Sequence, residues 1–331
     1  MYDTQNGVMH PHDLLVRNVL GDAELAADLF RHYLPLDLVA NLDLSQLRRE
    51  TVESIDPGLS ELLCDLRFSG KFRDGGRDLR VFLFLEHQSR PDRFISFRLL
   101  EYVCAAYRAH LATFGKKGES ATFPYPLAVV LHHGRRPWKK VAPMSELIDV
   151  GEGVPKDILS FPVFLVDLAR IPGDRLRGHP AVCAVLEILQ SASMGLLPER
   201  AGGIFGRLRS LRGDRRLKDW AYSLGKYYAS VQGRIKGTVD DLTDILHAAL
   251  GKREAKKMGL TIADELRLEG RAEGRAEGKA ESILAVLEVR FGPVPAGIKK
   301  RVESMRNAKQ LEKALRLCAI SENPKAFEKA L

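Results

Sequence analysis

The chain has few of the features that would assign it to a class at once. Its four cysteines among 331 residues, Cys64, Cys104, Cys183 and Cys318, stand far apart with no C-x-x-C pair. That spacing suggests neither a cysteine zinc cluster nor a disulfide framework, and buried free thiols are expected. No apolar run approaches the roughly 20 residues of a membrane span. The longest runs, Val81 to Leu85, Leu127 to Leu131 and Phe161 to Val166, are strand-sized, so no membrane partner is expected. The start, Met1-Tyr2-Asp3-Thr4-Gln5-Asn6, lacks the basic residues and apolar stretch of a secretory signal, and a cytoplasmic protein is expected. There is no G-x-x-x-x-G-K-[ST], no H-E-x-x-H and no G-x-S-x-G, and Gly151-Glu152-Gly153 lacks the third glycine of a dinucleotide loop.

What is present reads as globular. With 45% hydrophobic and 28% charged residues, the chain has the composition and length of one large or two modest domains. The net charge of +8 makes an anionic partner plausible, and its location sharpens the point. Between Arg200 and Lys236 ten basic residues stand against two acidic ones. Arg212, Arg215, Arg216 and Lys218 form the densest part, with Trp220, Tyr222, Tyr227 and Tyr228 interleaved. This pattern suits DNA, through phosphate contacts and base or sugar packing. The competing reading is a solvated helix face.

Apolar spacing of three and four predicts helices over 12–20 and 23–33, with Pro35 ending the second, and residues up to about 50 read as helical. From Glu61 the pattern changes to short apolar runs around Asp74-Gly75-Gly76-Arg77, a β-hairpin signal. A helix over 93–114 and two buried strands, over 127–131 and 162–168, complete an α/β region ending near residue 170. The remainder reads as helical. It contains a period-four repeat from Glu269 to Glu281, which on a helix lines up Glu269, Glu273, Glu277 and Glu281 in one stripe and Gly270, Gly274 and Gly278 in another. Like charges four apart repel, and each interior glycine costs about 1 kcal/mol relative to alanine. A homo-oligomer through the 269–281 helix would relieve both, and a solvated linker is the alternative.

The hairpin brings two carboxylates together. If Gly75 and Gly76 centre the turn, paired residues share an index sum of 151 and Asp65 faces Glu86. Directly opposite Cβ atoms lie about 4.5 to 5.5 Å apart, and like charges there are destabilising unless something compensates. Such a pair suits Mg²⁺ or another divalent cation, which takes one or two carboxylates and completes its octahedron with waters. Gln88 shares the face of Glu86 and can hydrogen-bond a metal-bound water or a phosphate oxygen. Arg67 supplies the alternative, a cross-strand ion pair, and a bulge near Gly70 would break the register. His87 points to the opposite face, where packing is expected. His132 and His133, as strand neighbours, cannot both bind one ion. No ligand role is expected of His12, near the chain's start. Arg98 and Tyr102 share a helix face and either line a DNA cleft or tie the helix to the sheet.

Leu85-Glu86-His87-Gln88-Ser89, then Pro91-Asp92-Arg93 and Phe97-Arg98-Leu99-Leu100-Glu101-Tyr102, resembles the signature of the Rpn (recombination-promoting nuclease) or YhgA-like transposase family, part of the PD-(D/E)XK nuclease superfamily. His12-Asp13, Tyr33-Leu34-Pro35, Cys64-Asp65-Leu66 and His132-His133-Gly134 with Trp138 support the likeness over most of residues 10 to 170, and Phe291-Gly292 extends it loosely to the tail. The resemblance implies a restriction-endonuclease-like core with a central mixed sheet flanked by helices. It implies Mg²⁺-dependent DNA phosphodiester hydrolysis with catalytic residues Asp65, Glu86 and Gln88, the last where the superfamily usually has lysine. Asp65 and Glu86 would be metal ligands, and Asp13 is similar to an extra acidic ligand of some members, or else a helix-start residue.

The resulting expectation is an α/β nuclease-like core over 1–175, a basic helical region over 176–260, and the repeat helix with a small helical domain over 261–331. Arg98, Arg212, Arg215, Arg216 and Lys218 are the DNA-binding candidates. The alternative is a non-catalytic DNA-binding or assembly protein that retains the nuclease fold.

Overall fold

Asp22 starts the first well-capped helix: its Oδ1 accepts the backbone N–H groups of Glu24 (2.9 Å) and Leu25 (3.3 Å), two donors that a helix leaves open at its N-terminus. In the computed structural model, which describes residues 11–50, 66–73, 80–113, 122–148, 161–231, 238–305 and 307–331, this helix is α2 (Ala23–Tyr33), preceded by α1 (Pro11–Val19). Both match the sequence expectation. The residues after Pro35 do not continue as one helical region. They form a short α3 (Leu36–Asn41) and then β1 (Leu42–Glu50). The three-residue spacing of Leu44 and Leu47 imitates a helix, but it arises from a strand irregularity between Asp43 and Arg48. There the Asp43 carboxylate accepts from the Ser45 N–H and Oγ and from Gln46 Nε2, a local turn that lets Leu42, Leu44 and Leu47 all stay buried.

β2 (Leu66–Phe72) and β3 (Arg80–Gln88) form the hairpin, α4 (Ile95–Thr113) follows, and β4 (Tyr125–His132) and β5 (Val163–Asp167) complete a five-stranded sheet in the order β1-β2-β3-β4-β5. β1, β2 and β3 pair antiparallel, and β3, β4 and β5 pair parallel. A parallel step requires a long crossover, which α4 supplies between β3 and β4. The mixed sheet flanked by helices is therefore an α/β arrangement, as expected.

Each sheet face has its own core. Phe84, Ala128 and Val130 pack against Ile95, Leu99, Val103 and Ala106 of α4, with Trp138 closing the edge. The opposite face presents Leu83, Leu85, Leu127, Val129 and Leu131, all fully buried, and there Phe30 of α2 meets Phe68 of β2 edge-on at 6.0 Å. Each such large apolar side chain contributes about 1.5 to 3 kcal/mol by leaving water. α5 (Pro180–Met194) is buried almost all round, from Ala181 through Leu186 and again at Ile188 and Leu189, and is an interior helix of this unit. α6 (Leu197–Arg207), α7 (Leu217–Val231) and α8 (Thr238–Ala249) follow. Cys183 and Cys318 are buried free thiols, whereas Cys104 is exposed on α4, contrary to expectation.

The chain divides into two compact units, one over Pro11–Gly259 and one that includes Leu260–Leu331. The second contains most of the 40-residue α9 (Lys252–Phe291), then α10 (Ala296–Glu303), α11 (Ala308–Ile320) and α12 (Pro324–Ala330). Gly292, at a φ of 79°, provides the left-handed turn that ends α9. In the repeat it is the alanines that pack. Ala276 and Ala280 join Ile283, Leu287, Leu311 and Phe327 in the core of this unit. No helix among the described residues is long and apolar enough to cross a membrane.

Candidate active site

The hairpin ladder runs from Leu66↔Leu85 to Lys71↔Arg80, every pair sharing the index sum of 151, and it passes Gly70↔Val81 without a bulge. Asp65, next to the first pair, lies outside the described residues, as do Cys64 and the turn over 74–77. Arg67 stands opposite Glu50 on β1, with Nη2 3.6 Å from Glu50 Oε2.

Glu86 is at the heart of the described site. Its side chain is 6% exposed, and its Oε1 accepts from Gln88 Nε2 at 3.1 Å and from Arg98 Nη2 at 2.7 Å. The strand alternation puts Glu86 and Gln88 on one face, as the sequence indicates. Arg98 reaches them from the first turns of α4, with a side chain only 14% exposed. Its Nη1 also lies 3.5 Å from Asp92 Oδ2, while Asp92 Oδ1 accepts the Phe94 N–H at 2.8 Å ahead of α4. The separated pieces of the sequence signature thus form one local unit: strand end and helix start meet at a single carboxylate oxygen, and Asp92 of the turn faces Arg98.

The other face of β3 carries a histidine cluster that sequence reasoning missed. His87 Nε2 lies 3.0 Å from Asp13 Oδ1. The His87 ring stacks on His133 (5.6 Å between centroids, 15° between planes), and His133 in turn lies 4.7 Å from His12. His12 Nδ1 meets Tyr227 Oη of α7 at 2.9 Å, and His133 Nδ1 meets Ser193 Oγ of α5 at 3.2 Å. Burial, reinforced by the neighbouring His12 and His87, holds the His133 pKa well below the ordinary histidine value. Asp13 of α1 is therefore found against His87, and the half-buried His12 packs against His133 and Tyr227. His132 faces the α4 side with both ring nitrogens near backbone carbonyls, Gln88 O at 3.1 Å and Arg136 O at 2.9 Å. The two adjacent histidines thus serve different faces.

Gly134 completes this corner. A Cβ there would overlap Ser89 O and the His132 ring. The close approach of the β4 exit to the end of β3 requires the missing side chain.

Residues 10–204 match the family described as "Putative transposase, YhgA-like". The chain belongs to this family. Recombination-promoting nuclease RpnD of Escherichia coli O157:H7 is 31% identical over 183 residues, covering 54% of this chain and 66% of that protein. Recombination-promoting nuclease RpnC of Escherichia coli K12 is 29% identical over 191 residues, 54% of this chain and 57% of that protein. Inactive recombination-promoting nuclease-like protein RpnE of the same strain is 26% identical over 188 residues, 56% of this chain and 60% of that protein. The chain therefore spans less than two thirds of the length of each of these relatives. No solved structure matches it.

In this YhgA-like protein the basic segment separates into two kinds of residue. Arg216 is a structural tie: its guanidinium reaches Asp22 (3.1 Å), Glu24 (2.7 Å) and Asp214 (3.4 Å) and lies over the Trp220 ring at 4.9 Å. Those hydrogen bonds and charges raise its already high pKa further against the opposing effect of burial. Lys218 pairs with Glu254 at 3.1 Å. Arg212 and Arg215 are exposed, with no acidic partner among the described residues. Trp220 and Tyr227 are buried, so neither is a stacking platform, a correction to the sequence expectation. Their helical spacing reflects the packed face of α7.

Glu86 offers a hard carboxylate oxygen, the kind of donor a Mg²⁺-type cation takes, and its partners among the described residues are N–H donors, Gln88 Nε2 and Arg98 Nη2. Among the described residues no group of three or more His, Cys, Asp or Glu could hold a metal ion.

Proposed function

We propose that this protein is a divalent-cation-dependent DNA endonuclease with a PD-(D/E)XK-type core, in which Asp65 and Glu86 hold Mg²⁺ and Gln88 orients the attacking water. The observation that carries this reading is the placement of Glu86 and Gln88 on one face at the end of β3, beside a described ladder that runs without a bulge to Leu66, the residue that follows Asp65 in sequence. The strand order supports it: three antiparallel strands, a crossover helix and a parallel strand. A cation bound there would lower the pKa of a water and offset charge on the scissile phosphate. Gln88 can hydrogen-bond that water or a phosphate oxygen, and its neutral amide brings no charge of its own. Arg212 and Arg215 are the basic residues best exposed for phosphate contact. Asp13 is the further acidic ligand that the resemblance implies; its carboxylate contacts His87, on the other face of β3 from Glu86.

Supercoiled plasmid incubated with the protein and Mg²⁺ should be nicked or linearised, and EDTA, Asp65→Ala and Glu86→Ala should each abolish the cleavage. Wild type as inert as both variants, with DNA still bound, would instead support a non-catalytic DNA-binding protein. That second reading is favoured by the resemblance to a relative named inactive. Assembly through the 269–281 helix is also proposed. The Glu and Gly positions of the repeat lie mostly at the surface of the C-terminal unit. An unchanged mass by light scattering after removal of residues 264–331 would disprove it.

A further inference from the structure

Two donors of different kind converge on Glu86 Oε1: the neutral amide of Gln88 at 3.1 Å and the cationic guanidinium of Arg98 at 2.7 Å. A carboxylate removed from water is costly unless charge is balanced nearby, and of these two donors only Arg98 brings a positive charge. Its planar fork is itself oriented, since Nη1 faces Asp92 Oδ2 at 3.5 Å and Asp92 is fixed by the backbone at the start of α4. With its side chain 14% exposed and one nitrogen engaged by Glu86, Arg98 is poorly placed for a DNA phosphate, the role expected from sequence.

We infer that Arg98 is the positioning residue of this site, holding Glu86 in one orientation and, as a cation on the same carboxylate, limiting how tightly the site binds a divalent metal ion. The inference rests on the nuclease reading above. Any ion bound by Glu86 lies within a few ångströms of the guanidinium, and even at the dielectric of bulk water the repulsion weakens its binding by about tenfold. The same contact fixes the carboxylate's angle, and a misplacement of about 1 Å in a catalytic group costs roughly a hundredfold in rate. Metal affinity and turnover therefore respond to Arg98 in opposite directions.

The test uses the full chain. Mg²⁺ binding without DNA is measured by titration calorimetry, and plasmid cleavage is measured at saturating Mg²⁺, for wild type, Arg98→Ala and Arg98→Lys. Arg98→Ala should bind Mg²⁺ about tenfold more tightly while kcat falls about a hundredfold and KM for DNA stays close to wild type. Arg98→Lys keeps the charge, so it should retain the wild-type Mg²⁺ affinity and recover part of kcat. Unchanged Mg²⁺ affinity in Arg98→Ala overturns the inference, as does a raised KM at wild-type kcat, which would mark a DNA contact. Loss of Mg²⁺ binding and cleavage together in both variants would mark a role in folding only, and also overturns it. If wild type neither binds Mg²⁺ nor cuts, the nuclease reading itself fails. If wild type does both and Arg98→Ala matches it, only the role of Arg98 fails.

Discussion

His87 Nε2 lies 3.0 Å from Asp13 Oδ1, so the strand that presents Glu86 on one face is tied on its other face to the first helix. The pair joins residues 74 positions apart in sequence. The contact gives Asp13 a structural role that is separable from the metal-ligand role proposed by resemblance. Asp13→Asn should lower unfolding stability by about 1 to 2 kcal/mol, as expected for a partly buried hydrogen bond to an ionised group. A double-mutant cycle with His87→Ala, read by urea unfolding, should show coupling of about 0.5 kcal/mol or more. Unchanged stability with complete loss of cleavage would assign Asp13 to the metal instead.

Stability should depend on pH through His133. Its pKa is depressed in the folded protein by burial and by the flanking histidines. The unfolded chain therefore binds a proton that the native state refuses, and stability declines as pH falls below the ordinary histidine value of about 6.5. For one such group the slope is about 1.4 kcal/mol per pH unit, and above that pH the contribution is fully present and flat. Melting temperatures of wild type and His133→Gln between pH 5 and 8 check this, and the variant should show the shallower acid limb.

Substitution of Gly134 should disturb the site from behind. A Cβ at this position meets a backbone carbonyl and a buried imidazole, neither able to withdraw easily. Gly134→Ala should destabilise the protein by about 1 to 3 kcal/mol, the usual cost of overpacking. Faster amide exchange at His133, whose N–H donates to Gln88 O at 2.9 Å, would localise the effect.

The basic segment should divide by function in the way it divides by structure. Arg212→Glu with Arg215→Glu should weaken DNA binding and reduce the salt slope, each phosphate contact accounting for about 0.9 units of log–log slope. Neither change should move the melting temperature. Arg216→Ala should do the reverse, lowering stability by about 1 to 2 kcal/mol through loss of its three carboxylate partners, with the salt slope unchanged.

Much of the core was legible because local rules govern it. The turn residues Asp74-Gly75-Gly76-Arg77 set an index sum that the described ladder obeys, and period-two alternation placed Glu86 and Gln88 on one face and His87 on the other. β1 was illegible because the Asp43 turn and the strand irregularity beside it give its leucines a helix-like spacing that only pairing with β2 resolves. In the period-four repeat, the charge and glycine stripes were visible, but burial of Ala276 and Ala280 depends on α11 and α12 folding back on α9.

Sequence alone determined which residue types stand at the end of β3, their alternation, and the family to which residues 10–204 belong. Only the tertiary structure decided what those residues touch. Arg98 follows Glu86 by 12 positions, and helical spacing could place it on a face of α4 but could not aim it at one carboxylate oxygen. Arg216 looked like its neighbours in a basic run until the start of α2 brought Asp22 and Glu24 beside it, and His12, His87 and His133 meet only because the start of α1 lies against the ends of β3 and β4. Periodicity acts through the backbone over a few residues, whereas ion pairing and burial act through space. A charge's partner is therefore set by the packing of elements that sequence order leaves far apart.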